Sequence, residues 1–317
     1  MVLVLTAADV AAALTGREAL VVDAVRGAYL AHEAGNTAVP HSVFLRFPGN
    51  DADRIIALPA YLGGPEPIAG CKWISSFPEN TGKGLPRASA VIILNDMATG
   101  APVAMLEGSL ISAARTAASA ALAAMTLRGC AIEHLAVIGC GLINATIVGY
   151  LAALSPQLHT LTAYDLHPEA AERFDAGSDR TVHVAADLRE ALHAARTVSF
   201  ATTATRPYVA AADVGADVDL ILHVSLRDLQ PDVVETAANV VDDPDHVLRA
   251  GTSLVVAGAT NLITLGSVLE TGAAPAGRPL VFSPFGLGIL DLAVASLVLA
   301  HAREHGNGVE VDGFAPR

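Results

Sequence analysis

Apolar and polar positions change their spacing several times along the chain, and each change predicts a different element. Thr6-Ala7-Ala8-Asp9 predicts a helix start, with an acid three residues after Thr serving the free N–H groups of the first turn. Leu20, Val21, Ala24, Ala28 and Ala31 form a helical stripe within residues 16–35. Residues 39–60 then alternate, and Pro48-Gly49-Asn50 interrupts them as a hairpin turn does. Residues 68–77, 89–94 and 102–106 read as further strands, the last one after a turn at 95–100. A strand-rich, partly antiparallel domain fits residues 36–108. Residues 112–128 are alanine-rich and helical, and they lead into the apolar run Leu135-Ala136-Val137-Ile138.

That run ends in Gly139-Cys140-Gly141, and from there strands and helices alternate. Strands are predicted at 158–164, 181–185, 196–202, 220–224 and 253–257, with helices at 168–176 and from Asp187. Regular alternation of this kind argues for a mostly parallel sheet covered on both faces. Residues 287–304 form a last helix, long enough to return to the first domain. The fold class is α/β: a Rossmann-type dinucleotide-binding domain plus an α+β domain. Roughly 130 residues precede the glycine turn, enough to supply the other half of an active site.

Composition narrows the partners. The 317 residues are 52% hydrophobic and 16% charged, far from disorder. A net charge of −13 and few aromatic residues disfavour nucleic acid. Cys71, Cys130 and Cys140 are widely spaced, a reduced cytoplasmic pattern without a metal knuckle. No basic segment precedes the apolar start, so a signal peptide is not expected. Residues 135–164 carry no charge, but Gly139, Gly141, Asn144, Ser155, Pro156 and Gln157 interrupt them, which favours a buried strand–turn–helix over a membrane span. The histidines show no H-E-x-x-H arrangement, so no metal is expected.

Three places carry candidate chemistry. Gly139 permits the tight turn, Gly141 lets backbone approach a pyrophosphate, and the next helix offers unpaired N–H groups to it. Asn144 and Ala145 stand where a third small residue is usual, leaving close helix–sheet packing open. Asp165, the next charged residue, ends the following strand, where a carboxylate accepts hydrogen bonds from ribose hydroxyls and repels a 2′-phosphate; NAD is expected over NADP. Lys72 interrupts an apolar strand, and Arg115 a helix of small residues; two cations there suit a carboxylate-rich substrate. A solvent-facing lysine and a structural Glu107–Arg115 pair are the plainer alternatives. Asp228 follows a strand's carboxyl end, where it either orients an amine, activates water, or merely caps a turn before Pro231.

Leu58-Pro59-Ala60-Tyr61, Lys72-Trp73-Ile74-Ser75-Ser76-Phe77-Pro78-Glu79-Asn80, residues 108–119 around Arg115, and the glycine turn together resemble the ornithine cyclodeaminase/μ-crystallin family over almost the whole chain. His41-Ser42-Val43-Phe44-Leu45-Arg46-Phe47-Pro48, Gly84-Leu85-Pro86-Arg87-Ala88-Ser89-Ala90 and Ser225-Leu226-Arg227-Asp228 are similar to its diaminopropionate-biosynthesis branch, the N-(2-amino-2-carboxyethyl)-L-glutamate dehydrogenases of siderophore or peptide-antibiotic pathways. The resemblance implies catalytic roles for Lys72, Arg115 and Asp228, with Lys72 and Arg115 also binding substrate. It implies cofactor contacts at Gly139, Gly141, Leu142, Ile143, Asp165, Arg115 and Thr116. The early substrate arginine of cyclodeaminases is replaced by Pro40-His41-Ser42, which leaves Arg46 or Arg54 as substitutes, and the usual G-x-D-x-x-G-K is altered around Asp228. It further implies a cytoplasmic homodimer acting on a small polycarboxylate amino acid, with a substrate and dimerisation domain at 1–128 plus 290–317 and an NAD-binding domain at 129–289. Ornithine cyclodeamination, another amino-acid or ketimine dehydrogenation, and ligand binding without turnover are the alternatives.

Overall fold

The computed structural model describes residues 1–129 and 131–314, so Cys130 lies outside the described residues. The chain divides into two compact units, one of Met1–Arg115 with the segment from Leu287 onward, the other Thr116–Gly286.

The first unit opens with β1 (Val2–Leu5), α1 (Ala7–Leu14) and α2 (Glu18–Glu33). The expected capping box is present: the Thr6 hydroxyl accepts from the Asp9 backbone N–H, and the Asp9 carboxylate accepts from that of Thr6. There follow β2 (Thr37–Ala38), β3 (Val43–Phe47), β4 (Asn50–Leu62), β5 (Ile68–Ser76), β6 (Ala88–Asn95) and β7 (Pro102–Glu107). Then α3 (Ser109–Arg128) carries the chain into the second unit. By length and composition α3 is apolar enough to cross a membrane, but most of it is buried within the protein, as a core helix is.

The second unit holds β8 (His134–Ile138), α4 (Leu142–Leu154), β9 (Thr160–Tyr164), α5 (Pro168–Glu172), β10 (Thr181–Val184), α6 (Leu188–Ala194), β11 (Thr197–Phe200) and β12 (Leu220–His223). It continues through α7 (Pro231–Thr236), β13 (Ala238–Val241), α8 (Pro244–Arg249), α9 (Ser253–Val256), β14 (Leu262–Thr264), α10 (Leu265–Thr271) and β15 (Leu280–Phe282). The chain returns to the first unit as α11 (Gly288–His305) and β16 (Val309–Val311).

In the first unit the sheet runs β16-β1-β7-β6-β5-β4-β2, with β3 also paired to β4. Its ladders are antiparallel except β1 against β7. Leu58, Lys72, Ile92 and Leu106 lie opposite one another across β4–β7 and are all buried, beneath a layer that includes α11.

The second sheet is wholly parallel among the described residues, in the order β10-β9-β8-β11-β12-β15-β13-β14. Its order reverses between β8 and β11, and such a switch point opens a crevice at the carboxyl ends of the strands. The uncharged run 135–164 is β8, α4 and β9, so its apolarity serves a sheet buried on both faces. One expected strand is a helix: residues 253–256 form α9. Thr252 accepts the Val255 N–H and Gly258, at φ +64°, closes the turn. A short apolar run fits either element, and the Thr cap decides for the helix.

Candidate active site

In the first unit Lys72 and Arg115 meet a third charge. Lys72 Nζ lies 2.6 Å from Asp291 Oδ2, and Arg115 Nε 3.1 Å from Asp291 Oδ1. Lys72 also donates to Ser112 Oγ at 3.2 Å. β5, α3 and α11 each supply one of these charges. Their convergence depends on Gly70, where a Cβ would fall 2.3 Å from the Ile93 carbonyl oxygen and 2.9 Å from Leu292 of α11. Side chains of Lys72 and Asp291 are 2% and 1% exposed, and Arg115 only 12%. Burial pushes the Lys72 ammonium down from 10.5 to about 8; Asp291 opposes that fall and Arg115 adds to it. Two buried cations thus share one carboxylate, leaving an excess positive charge that an anionic ligand would neutralise.

The plainer alternatives for these two residues do not hold. Lys72 does not face solvent, and Glu107 does not pair with Arg115. Glu107 instead caps α3, accepting from the Ser109 N–H and hydroxyl and from the Leu110 N–H. Asp291 was not among the residues singled out in the sequence. The signal was there: it is the one acid in the apolar run 287–302, and the reasoning that flagged Lys72 applies equally to it.

In the second unit Gly139 adopts φ +88°, and a Cβ there would sit 2.6 Å from the Ala201 carbonyl oxygen. Gly141 is the N-cap of α4 with open space beside it, so the first-turn N–H groups of Leu142 and Ile143 are presented without an obstructing side chain. Asn144 resolves the question of helix–sheet packing. Fully buried, it donates to the carbonyls of Ile138 and Gly139 and accepts from the Ser199 hydroxyl at 2.7 Å, tying α4 to β8 and β11. Asp165 accepts the Cys140 N–H at 2.8 Å and the His167 N–H at 2.9 Å, fixing its carboxylate beside the glycine turn. Tyr164, Asp165, Pro168, Val184 and Ala186 line a cavity of about 340 Å³. A turn with open backbone, a helix N-terminus, an oriented carboxylate and a partly apolar cavity fit the pyrophosphate, ribose and base of a dinucleotide.

Asp228 lies at the carboxyl end of β12 and is completely buried. Its carboxylate accepts from the hydroxyls of Thr202, Tyr208 and Ser225. His223 Nε2 is 3.1 Å from the Asp228 backbone nitrogen and 3.2 Å from Oδ2. These two contacts are alternatives: Nε2 without a hydrogen accepts the N–H, whereas Nε2 carrying one donates to the carboxylate. Burial pushes the Asp228 carboxyl up, but the His223, Ser225 and Thr202 contacts outweigh it and hold the group below its ordinary value. Asp228 is therefore an anion at neutral pH. Leu226, where the family pattern places glycine, has φ +70°, the only left-handed non-glycine residue among those described. Such a conformation stores about 1–2 kcal/mol and is commonest at functional sites. Thr202, Tyr208, His223 and Ser225 had no periodic signature; only their fold neighbourhood reveals them.

Arg46 and Arg54 are not brought to Lys72. They face each other across β3 and β4, and Arg54 opposes Ser76, four residues along β5 from Lys72. Thr116 follows Arg115 in α3 and begins the second unit.

The sequence pattern of the ornithine cyclodeaminase/mu-crystallin family matches residues 2–306. N-((2S)-2-amino-2-carboxyethyl)-L-glutamate dehydrogenase of Staphylococcus aureus is 30% identical, with 98% of each chain covered. Alanine dehydrogenase of Archaeoglobus fulgidus is likewise 30% identical over 98% of each chain. The structure of Thermococcus litoralis Delta(1)-pyrroline-2-carboxylate reductase, in complex with NADH and L-proline, superposes with a TM-score of 0.87 at 26% identity, covering 98% of this chain and all of the other.

Proposed function

The chain belongs to the ornithine cyclodeaminase/mu-crystallin family, and on that premise we propose that it is an NAD-dependent amino-acid oxidoreductase acting on a CH–NH bond. The substrate we assign is N-(2-amino-2-carboxyethyl)-L-glutamate, which with water and NAD gives L-2,3-diaminopropionate, 2-oxoglutarate, NADH and a proton. Such a product would feed siderophore or peptide-antibiotic assembly. One observation carries the reading: the buried Lys72–Asp291–Arg115 cluster has two cations for one anion and so calls for a substrate carboxylate.

The glycine turn, Leu142, Ile143 and Asp165 would hold NAD, which supplies the two-electron oxidant when bound. Arg115 clamps a carboxylate with its planar fork. Lys72, with its lowered pKa, binds that carboxylate as an ammonium or passes a proton near neutral pH. Asp228 is charged but saturated with donors, so it acts by orienting the hydroxyls of Thr202 and Tyr208 toward amine or water, or by exchanging one of them for the substrate. Arg115 and Thr116 are further contacts proposed for the cofactor.

Absorbance at 340 nm tests the assignment, with purified protein, NAD and the conjugate, and products identified by mass spectrometry. NADH rising in step with 2-oxoglutarate and diaminopropionate is the expected result. Ammonia and proline from ornithine without net NADH would instead mark a cyclodeaminase. NADH formed from alanine alone would mark an alanine dehydrogenase.

The assembly we propose is a homodimer joined through the outer face of the first unit's sheet. Val43, Ala57, Trp73 and Val91 lie in one register row on that face, and Leu45 and Ile55 in the next. Val43, Leu45 and Trp73 are 64%, 44% and 43% exposed, an apolar patch of the kind that marks an interface.

A further inference from the structure

We propose that Arg128, Arg196 and Arg278, gathered on Asp219 at the amino ends of β11, β12 and β15, form a binding site for a small dianion, a phosphate ester or a dicarboxylate. Arg196 immediately precedes β11, Asp219 immediately precedes β12, Arg278 stands just before β15, and Arg128 ends α3. Backbone pairing fixes the acid: the Asp219 N–H donates to the Arg196 carbonyl at 2.8 Å, and the Asp219 carbonyl accepts the Leu280 N–H at 2.8 Å. Asp219 Oδ2 accepts from Arg196 Nε and Nη2, each at 2.7 Å, and lies 3.4 Å from Arg128 Nη2. Oδ1 accepts from Arg278 Nη1. Arg128 Nη1 also donates to the Thr197 hydroxyl at 2.8 Å, which holds its guanidinium beside β11.

The same four residues line a cavity of about 560 Å³, room for a small molecule. Hydrogen bonding from Arg196 outweighs partial burial and, with the charges of all three arginines, holds the Asp219 carboxyl below its ordinary value. Asp219 is therefore an anion, yet three cations outnumber it. Asp217, whose charge also acts on Arg196, offsets part of the excess. A guanidinium carries more N–H donors than a shared carboxylate can accept from it. The Asp219 side chain is 8% exposed, but those of Arg196 and Arg278 are 57% and 71% exposed, so their spare donors are open to a ligand. In a chain of net charge −13, a cavity with this local excess selects anions. A monovalent anion leaves part of the excess unmatched, whereas a dianion matches it and offers several oxygens to the guanidinium forks. The glycine turn and Asp228 lie at the carboxyl ends of the same parallel sheet, so this site stands at the other end of the strands.

The test is titration calorimetry on the full chain saturated with NAD, at low ionic strength because salt screens exposed guanidinium groups. Inorganic phosphate, succinate and acetate are the probes, two dianions and a monovalent control. At least one dianion should bind about tenfold or more tightly than acetate, and the tighter of the two tells a phosphate ester from a dicarboxylate as the ligand class. Arg278→Gln and Arg196→Gln should each weaken that binding about 10- to 100-fold, and Arg278→Lys should recover part of the loss, since lysine keeps the charge without the fork. Both side chains are largely exposed and Asp219 keeps two arginines in each variant, so all three should fold, which an unchanged melting temperature checks. Dianion binding that survives Arg278→Gln and Arg196→Gln belongs elsewhere, at Lys72 and Arg115 for instance, and overturns the proposal. Acetate binding as tightly as both dianions, or no binding of either dianion to the wild type, overturns it as well. None of these outcomes depends on which amino acid the enzyme oxidises.

Discussion

Lys72 is where burial and function oppose each other. Below pH 8 its ammonium is charged in the folded protein and beyond about 10.4 it is neutral even when unfolded. Between these values the native state binds fewer protons than the unfolded chain, so this residue's contribution to stability rises with pH. Carboxylate binding runs the other way, because it needs the ammonium. The expected pH profile of kcat/KM for the amino-acid substrate therefore falls above about pH 8, and Lys72→Arg moves that limb upward because arginine stays charged. A profile flat to pH 10 would remove Lys72 from carboxylate binding. Asp291→Asn provides the complementary result. It leaves two buried cations uncompensated, which should cost about 3–5 kcal/mol in urea denaturation and shift the alkaline limb to lower pH. For Asp228→Asn, the hydroxyls of Thr202, Tyr208 and Ser225 lose their charged acceptor, and kcat should fall about 10²- to 10⁴-fold. Calorimetric affinity for NAD should stay near the wild-type value, since the glycine turn and Asp165 are untouched.

At the scale of elements, the placement of α11 on β4 and β5 decides whether Asp291 can reach Lys72. Gly70 makes that approach, so Gly70→Ala should force Leu292 and the Ile93 carbonyl outward, lowering stability by about 1–3 kcal/mol and raising KM for the amino acid. A variant with wild-type melting temperature and KM would show that the helix has slack there. The same element shows what the sequence could and could not reveal. Alternation made β4–β7 readable, and the glycine turn made β8–α4 readable, because each pattern is local. The partner of Lys72 lies more than two hundred positions away on a helix whose apolar stripe conceals one acid, and no local period links the two. The α9 segment was ambiguous for a different reason: three apolar residues do not complete a period, so the Thr252 cap outweighed β-branched composition. Asn144 illustrates the third limit, since a motif expecting a small residue does not anticipate an amide that satisfies three carbonyls of the turn and the adjoining strands.

For the molecule as a whole, the proposed pairing of two copies rests on a surface that the interior does not need. On the first unit's sheet, Lys72, Leu58, Ile92 and Leu106 point inward, so the intervening positions must face outward, and there β3–β6 carry valine, leucine, isoleucine and tryptophan. An edge strand left open to solvent ordinarily carries outward charge to prevent pairing, but Arg46 of β3 lies on the opposite face and leaves Val43 and Leu45 bare. Such an exposed patch on a monomer would be an aggregation hazard, whereas a second copy applied to the same face closes the contact by two-fold symmetry. Trp73, central in its register row, is the natural anchor, since buried tryptophans dominate interfaces. Trp73→Glu should therefore convert a dimer to a monomer in sedimentation velocity, with a dissociation constant raised at least about 30-fold. Because its side chain points away from Lys72, the far-ultraviolet dichroism of the variant should match wild type. A wild-type protein sedimenting as a monomer at micromolar concentration would reject the dimer outright, and an unchanged Trp73→Glu dimer would move the interface to another face.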